Sequence, residues 1–388
     1  MKWKQKSLAA LLTAASLALC ILPAQALNVP SSFLALSKES TLNNPGIIVI
    51  DSNTHEVVFD HNPDVTRAPA SVLKLVSTTS ALREFGPDKV FGTTVSSTDK
   101  PNKFLLVGEG DPWLTTSELE ATKYKRAYLP ALINKVLELH PHLRAISLQY
   151  KNIYYQDIQA IERFYKGRVK IYPHAVSDTS DAQETLAKIE SPPLHSIIEF
   201  TLLWSDNLLA ARMSLMAAKA QGFSANAEGL QASFEKLFTE LEIPAPGLVI
   251  VDGAGLSHKT RISSRTIADL LLKIKSEPSL QAIYDGLPLA GVTGTLKNRF
   301  TKDAPTAVGL IKAKTGWINT TVSLAGFVNS GEKEYVFAVI ADRLPNREVA
   351  RQNARITIDK MLATIAKPAP GAPPVTPAPD TSSAPSND

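Results

Sequence analysis

Three short motifs hold the residues that could do chemistry in this chain, and the first is Ser71-Val72-Leu73-Lys74. On a helix, residues three apart share a face. A hydroxyl beside an amine is a nucleophile next to its base, provided the amine is neutral. Burial and a second cation nearby both lower an amine's pKa. The pattern S-x-x-K is weakly specific by itself. Ser97…Lys100 in a turn-like stretch and Ser233…Lys236 on an amphipathic pattern match it too, and both read as surface pairs.

The second motif is Ser205-Asp206-Asn207, between two helical patterns. Ser205 supplies a hydroxyl able to pass a proton. Asn207 supplies an amide for a substrate amide or for the Lys74 amine. The same stretch also reads as a helix-capping turn, and Ser224-Ala225-Asn226 shares its S-x-N pattern. The third motif, Lys314-Thr315-Gly316, closes a β-type run. Lys314 brings a positive charge and Thr315 a hydroxyl, a cradle for a carboxylate. Side chains alternate on a strand, so Lys314 and Gly316 share a side. The missing side chain at Gly316 lets another backbone come close. An extended peptide could join such a strand, leaving the N–H groups of Ser71 and Trp317 to face a developing oxyanion.

The elements that must position these motifs follow from periodicity. Gly46–Asp51 and Glu56–Asp60 read as a hairpin, and Ser71–Leu82 as a buried helix introduced by Pro69. Phe104–Val107, Ala145–Tyr150 and Arg168–Tyr172 read as strands, and Ser117–Leu139 as a helix. The concentration of Tyr154, Tyr155, Phe164 and Tyr165 reads as packing under a loop. Helices are expected over Leu194–Trp204, Leu208–Ala220, Ala225–Leu241, Ser263–Ile274 and Arg347–Ile365. Strands are expected over Gly247–Val251, Gly309–Lys314, Val322–Val328 and Glu334–Ala341. The order suggests an α/β (α+β) architecture, its sheet drawn from both ends of the chain with a helical lobe between. Residues 27–91 and 191–366 then make one domain and 92–190 an inserted subdomain. The Pro-rich stretch 367–388 lacks large apolar residues and reads as a disordered tail.

Bulk properties narrow the function. The formal net charge of +4 includes Lys2, Lys4 and Lys6 of an apparent leader, so the remainder is close to neutral. No basic stripe with interleaved aromatics is present, which argues against nucleic acid as a partner. The apolar run Leu8–Leu22 and the small-x-small Ala24-Gln25-Ala26 predict a secretory signal over residues 1–26. The run is shorter than the ~20 residues that span a bilayer. Cys20, the only cysteine, follows the bulky Leu19, unlike a lipid-modified cysteine. The mature chain then has no thiol. Its seven histidines show no H-E-x-x-H spacing, so no metal or other cofactor is expected.

Taken in order, S-x-x-K, S-D-N and K-T-G form a set shared by class A β-lactamases and penicillin-binding proteins. Further segments single out one family. They are Arg67-Ala68-Pro69-Ala70-Ser71, Gly108-Glu109-Gly110-Asp111-Pro112, Asp252-Gly253-Ala254-Gly255-Leu256-Ser257, and Leu287-Pro288-Leu289-Ala290-Gly291 with Gly294-Thr295-Leu296. With these the chain resembles the D-alanyl-D-alanine carboxypeptidase/endopeptidases of the class C low-molecular-mass penicillin-binding proteins (penicillin-binding protein 4 type, peptidase family S13).

The resemblance implies a β-lactamase/transpeptidase-like fold, an antiparallel sheet flanked by helices with a helical lobe. It implies Ser71 as acylated nucleophile and Lys74 as base. Ser205 and Asn207 would relay protons and position the peptide, and Lys314 and Thr315 would hold a terminal carboxylate. Gly316 and Trp317 complete the implied substrate strand. The implied substrates are peptidoglycan stem peptides ending in D-Ala-D-Ala. β-Lactams would be covalent inhibitors, and the exported protein would lie in the periplasm or the extracellular cell envelope, peripheral to a membrane at most. The stretch between Ser71 and Ser205 is short for that family, so the insertion is reduced. The segment with which the family reads the diamino acid has no clear counterpart.

A serine β-lactamase would need a carboxylate for the deacylating water. Glu240 and Glu242 fall at a suitable spacing after Ser205 but lack an E-x-x-L-N context. A non-catalytic wall-peptide binder would carry a damaged motif, and all three are intact. The leader reading predicts that exported protein begins at Leu27, which its intact mass checks.

Overall fold

Continuous apolar runs such as Gly46–Asp51 and Thr321–Ser330 suit strands covered on both faces. The computed structural model describes residues 29–376. The expected leader, residues 1–26, lies outside the described residues, as does the end of the tail. A short helix α1 (Ser31–Ser37) leads into β1 (Gly46–Asp51) and β2 (Val57–His61). A 3-10 turn over Ala70–Leu73 then runs into α2 (Lys74–Phe85), so the expected single helix opens with a tighter turn that holds Ser71.

Next come β3 (Gly92–Ser97), β4 (Lys103–Gly108), β5 (Leu114–Thr115), α3 (Glu118–Tyr124), β6 (Ala127–Tyr128) and α4 (Pro130–Leu139). They are followed by β7 (Ala145–Lys151), α5 (Tyr155–Tyr165), β8 (Lys170–Ala175) and β9 (Thr185–Glu190). Helices α6 (Leu194–Trp204), α7 (Asn207–Ala220), α8 (Ala227–Glu240), α9 (Ser264–Ser276) and α10 (Gln281–Asp285) form the lobe. The chain returns through β10 (Ile311–Ile318), β11 (Thr321–Ser330), β12 (Lys333–Ala341) and α11 (Glu348–Ala363).

The main sheet is antiparallel, in the order β10-β11-β12-β1-β2, so both ends of the chain build it. Alternate residues of its central strands enter two different cores. Ile48, Ile50, Phe327 and Val336 face α2 and α9, whose Leu75, Val76, Ile267 and Leu270 share their cluster. Ile47, Val49, Leu324 and Val339 join Phe33 of α1 and Ile358 and Leu362 of α11. Each such side chain contributes about 1.5–3 kcal/mol of burial, and a register slip of one residue would exchange the two sets.

Residues 92–190 carry a second, mixed sheet in the order β8-β7-β4-β3-β9. Strands β4, β7 and β8 run parallel, with α5 crossing between β7 and β8. Phe104, Leu106, Ile146 and Ile158 belong to one cluster with Val76 and Leu202, so this region shares its core with the lobe.

Several local expectations are corrected. The helix read over Ser117–Leu139 is two helices, because Lys125 takes a left-handed φ of 56° and Pro130 opens a new helix. The aromatics at 154–165 flank and build α5 rather than a loop. The Tyr165 hydroxyl donates within reach of Pro130 O (2.9 Å) and Asn134 Oδ1 (2.7 Å), while Tyr155 and Phe164 are exposed. Gly247–Val251 is not a strand and makes one isolated bridge, Val249 to Arg261; Pro246 and the positive φ of Gly247 break the run. Strand β10 continues to Ile318, so K-T-G lies within it. Strands β3 and β9 add to the strands expected. Order also extends past residue 366. Lys367 exchanges backbone hydrogen bonds with Asn329 and Gly331, a contact that composition does not register.

The approach to Ser71 is clamped by a buried ion pair. Arg67 Nη1 donates to Asp342 Oδ1 at 2.8 Å, and Ala68 N–H donates to Asp342 Oδ2 at 3.1 Å. Removing the carboxylate leaves a buried guanidinium without its counter-charge. Asp342→Ala is expected to lose about 3–5 kcal/mol, read as a lower urea midpoint with unchanged slope.

Candidate active site

At the start of α2 the Lys74 side chain is fully buried, and its Nζ has three oxygen neighbours. They are Ser71 Oγ at 2.7 Å, Asn207 Oδ1 at 2.8 Å and Ala254 O at 3.0 Å. Two of these oxygens, the amide and the carbonyl, can only accept. The third belongs to a hydroxyl that can donate. The three oxygens accept from the three N–H groups of the charged form, and in the neutral form, with two N–H groups and one lone pair, the Ser71 O–H can turn to donate to Nζ. Burial pushes the Lys74 pKa down to about 7, against the opposing charges of Asp206 and Asp252. The free base is therefore accessible near neutral pH.

The neighbours come from remote segments. Asn207 opens α7, where Asp206 caps the helix by accepting from Leu209 N–H at 2.9 Å. Capping and contact with Lys74 are thus joint duties of one turn. Ala254 lies in the turn of residues 252–257. Asp252 Oδ1 accepts from the N–H groups of Ala254, Gly255 and Leu256, and its Oδ2 from that of Ser257. The Ser77 hydroxyl donates to Gly253 O at 2.6 Å and stitches this turn to α2.

The residue before Ser71 is strained. Ala70 has φ 50°, a left-handed conformation that costs a non-glycine residue about 1–2 kcal/mol. Two glycines make room for it. A methyl group at Gly255 would sit 2.0 Å from Ala70 O. One at Gly316 would meet Pro69 O at 2.9 Å and Ala70 Cβ at 3.0 Å. The Ser323 hydroxyl, opposite Gly316 in the sheet, donates to Pro69 O at 2.6 Å.

Strand β10 is the sheet's edge. Ala313 N–H donates to Pro288 O and Ile311 O accepts from Ala290 N–H, both away from β11. By alternation, Thr315 and Trp317 present their backbone groups to that same outer side. There a cleft of about 470 Å³ is lined by Ser71, Ser205, Asn207, Leu256, Thr295, Arg299, Thr315, Gly316 and Trp317, with Glu348, Gln352 and Arg355 of α11.

Lys314 does not line the cleft. It is fully buried beneath it, with Nζ 3.0 Å from Thr315 O and 3.5 Å from Thr315 Oγ1. Burial, reinforced by repulsion from Lys74, holds its pKa well below the ordinary lysine value. The Thr315 hydroxyl is 2.9 Å from that of Thr295. Arg299, Glu348, Gln352 and Arg355 escaped the motif reading, and Thr295 entered it only within the Gly294–Leu296 segment, with no role at the site. Glu348, Gln352 and Arg355 have the i, i+4, i+7 spacing of one helix face, which by itself names no site. Arg299 makes a two-point ion pair with Asp359. Asp111, in the Gly108–Pro112 turn, is fully buried. Its Oδ1 accepts from Trp113 N–H at 2.8 Å, and burial pushes its pKa up to about 7.

A profile of the D-Ala-D-Ala carboxypeptidase 3 (S13) family matches residues 34–129 and 166–365. The chain belongs to the S13 family. It is a serine hydrolase of the D-Ala-D-Ala carboxypeptidase type. The chain is 25% identical to "Carboxypeptidase DacB" of Mycolicibacterium smegmatis over 395 residues, spanning 86% of this chain and 83% of that protein. In fold it is similar to penicillin binding protein 4 of Haemophilus influenzae, with TM-score 0.69 at 17% identity over 85% of this chain and 98% of that one. It is also similar to a penicillin G-acylated predatory endopeptidase of Bdellovibrio bacteriovorus held by an immunity protein. That TM-score is 0.56 at 16% identity, over 86% and 96% of the two chains. These likenesses place the S13 chain in the penicillin-binding protein and β-lactamase fold.

Glu240 and Glu242 are absent from the cleft lining, and Glu240 instead pairs with Lys236 on α8 at 2.5 Å. With Lys74 titrating near 7, protonation removes the base as pH falls. The second-order rate of Ser71 acylation by a fluorescent penicillin should drop about ten-fold per unit below about pH 6 and level off above about pH 8.

Proposed function

We propose that this chain is a serine-type D-Ala-D-Ala carboxypeptidase, with D-alanyl endopeptidase action on cross-linked stem peptides, working in the cell envelope after export. The observation that carries the reading is the buried contact of Lys74 Nζ with Ser71 Oγ at 2.7 Å, which sets an amine of lowered pKa beside the hydroxyl it would deprotonate. A stem peptide adds as an extended strand along the outer side of β10. Ser71 Oγ attacks the penultimate D-alanine carbonyl while its proton passes to Lys74 Nζ. The backbone N–H groups of Ser71 and Trp317 receive the oxyanion. The proton travels from Lys74 through the Ser205 hydroxyl to the departing amine, and the terminal D-alanine leaves. Water then attacks the ester, its proton goes to Lys74, and Ser71 is regenerated as the shortened peptide departs.

The terminal carboxylate rests on the Thr315 and Thr295 hydroxyls, with Lys314 below. A carboxylate arriving there favours the charged form of Lys314, and that charge disfavours a proton on Lys74. Substrate binding thereby arms the base. A β-lactam ring opened by Ser71 keeps its leaving group tethered, so the acyl-enzyme persists and the drug is a covalent inhibitor.

Ser71→Ala should abolish both penicillin labelling and release of D-alanine from linear and cross-linked muropeptides, followed by mass spectrometry. Labelling that survives the substitution would refute the assignment of the nucleophile.

A further inference from the structure

The mixed sheet of residues 92–190 carries a second concave surface. A groove of about 480 Å³ is lined by Arg144, Glu162, Lys166, Gly167, Arg168, Val169, Lys170 and Ile171. Arg144, Lys166, Arg168 and Lys170 are all exposed, and Glu162 is the only acid in the lining. A chain otherwise close to neutral thus concentrates positive charge at one place. The neighbouring Arg163 and His174 are exposed as well, and no acid occurs between residues 163 and 174.

The charge is paired with aromatic surface, so residues 163–172 are a basic stretch with interleaved rings, which corrects the expectation that the chain carries none. Strand β8 is an edge of its sheet, so one side of its backbone ladder is open. Lys170, Tyr172 and His174 fall on one face of β8 by alternation, and Ile171 is buried on the other. Lys170 Nζ lies 4.9 Å from the Tyr172 ring, which is 44% exposed, and the Arg168 guanidinium lies 5.4 Å from the ring of Tyr165, itself fully buried. Tyr155 and Phe164 of α5 add exposed rings nearby in the chain. Arginines and lysines that suit carboxylates, beside flat rings that stack on sugars, suit a glycan bearing acidic peptides. Arg144 and Glu162 lie in the stretch 130–165 that the S13 profile does not match, while Lys166–Ile171 and β8 lie within the matched stretch 166–365.

We propose that the groove of residues 144 and 162–171, continued by β8, is a docking site for a second strand of peptidoglycan, separate from the cleft. The inference rests on the proposed function for its choice of polymer. The groove's cations meet stem-peptide carboxylates, and Tyr172 meets the glycan. The protein is thereby held on the polymer while the cleft works on one stem peptide.

The test pellets protein with insoluble peptidoglycan stripped of covalently attached phosphate polymers. The protein is first acylated with a fluorescent penicillin, which blocks the cleft, prevents digestion and reports an intact active site. The wild-type chain should co-sediment, and binding should fall as salt is raised from about 50 mM to about 300 mM. The variant with Arg144→Gln, Lys166→Gln, Arg168→Gln and Lys170→Gln should pellet about ten-fold less. Its acylation and its D-alanine release from a soluble pentapeptide should be unchanged. Tyr172→Ala alone should weaken pelleting without altering the salt dependence.

Equal pelleting of the quadruple variant would overturn the proposal. So would binding seen only on wall that retains phosphate polymers, or only on vesicles of anionic phospholipid. Failure of the wild-type chain to acylate would instead strike the proposed function, and pelleting scored by gel would still decide the groove.

Discussion

A primary amine shut away from water among three oxygen atoms is the arrangement on which the rest of this structure depends. A charged ammonium buried without a counter-ion is costly, by several kcal/mol even after relaxation. Lys74 therefore gives up its proton more readily than any exposed lysine, and its pKa of about 7 records a balance. Burial pulls down, while Asp206 and Asp252 pull up from just outside the contact shell. Were those carboxylates in direct contact, the amine would stay charged and useless as a base. Were they remote, it would be too weak a base. The neutral oxygens of Asn207 and Ala254 give orientation without charge.

That arrangement makes demands on the fold. The three oxygens come from the 3-10 turn before α2, from α7 and from the turn of residues 252–257, so these segments must meet at one point. The strained Ala70 backbone is tolerated because Gly255 and Gly316 leave the space and Ser323 holds the Pro69 carbonyl. The main sheet supports this from both faces, with α2 and α9 on one and α1 and α11 on the other. Helix α11 belongs mostly to the core, yet it turns Glu348, Gln352 and Arg355 into the cleft. Arg355 Nε is buried there with no protein partner among the described residues.

The inserted region divides differently. Its sheet shares apolar packing with the lobe, so it stiffens the far side of the active site. Its basic, aromatic edge points to solvent. Precision in the cleft depends on buried, geometrically fixed contacts. Retention on a polymer depends on exposed charges that tolerate many poses. The two demands are met on separate surfaces, and changes in one need not disturb the other.

Much of the fold was legible where a local pattern was strong. The strands near 46–51, 321–330 and 333–341 are apolar runs, and of the two cap candidates, Ser263 and Ser264, it is Ser263 that caps its helix, accepting from Thr266 N–H at 3.0 Å. The pattern failed where a strand leaves the core. β10 runs on through Lys314-Thr315-Gly316 because that edge faces a cleft, so apolar alternation stops before the hydrogen bonding does. β3 and β9 are short, polar and paired over a long sequence separation, which no local window detects.

By itself the sequence determined which residues could react: a hydroxyl and an amine one helical turn apart, and two further motifs in fitting local contexts. Only the tertiary structure decided how far burial lowers the amine's pKa, which oxygens it meets, and that Lys314 lies below the cleft rather than within it. The reason is physical. Spacing along the chain fixes neighbours on one element, but desolvation and charge are sums over every segment that folds around a group.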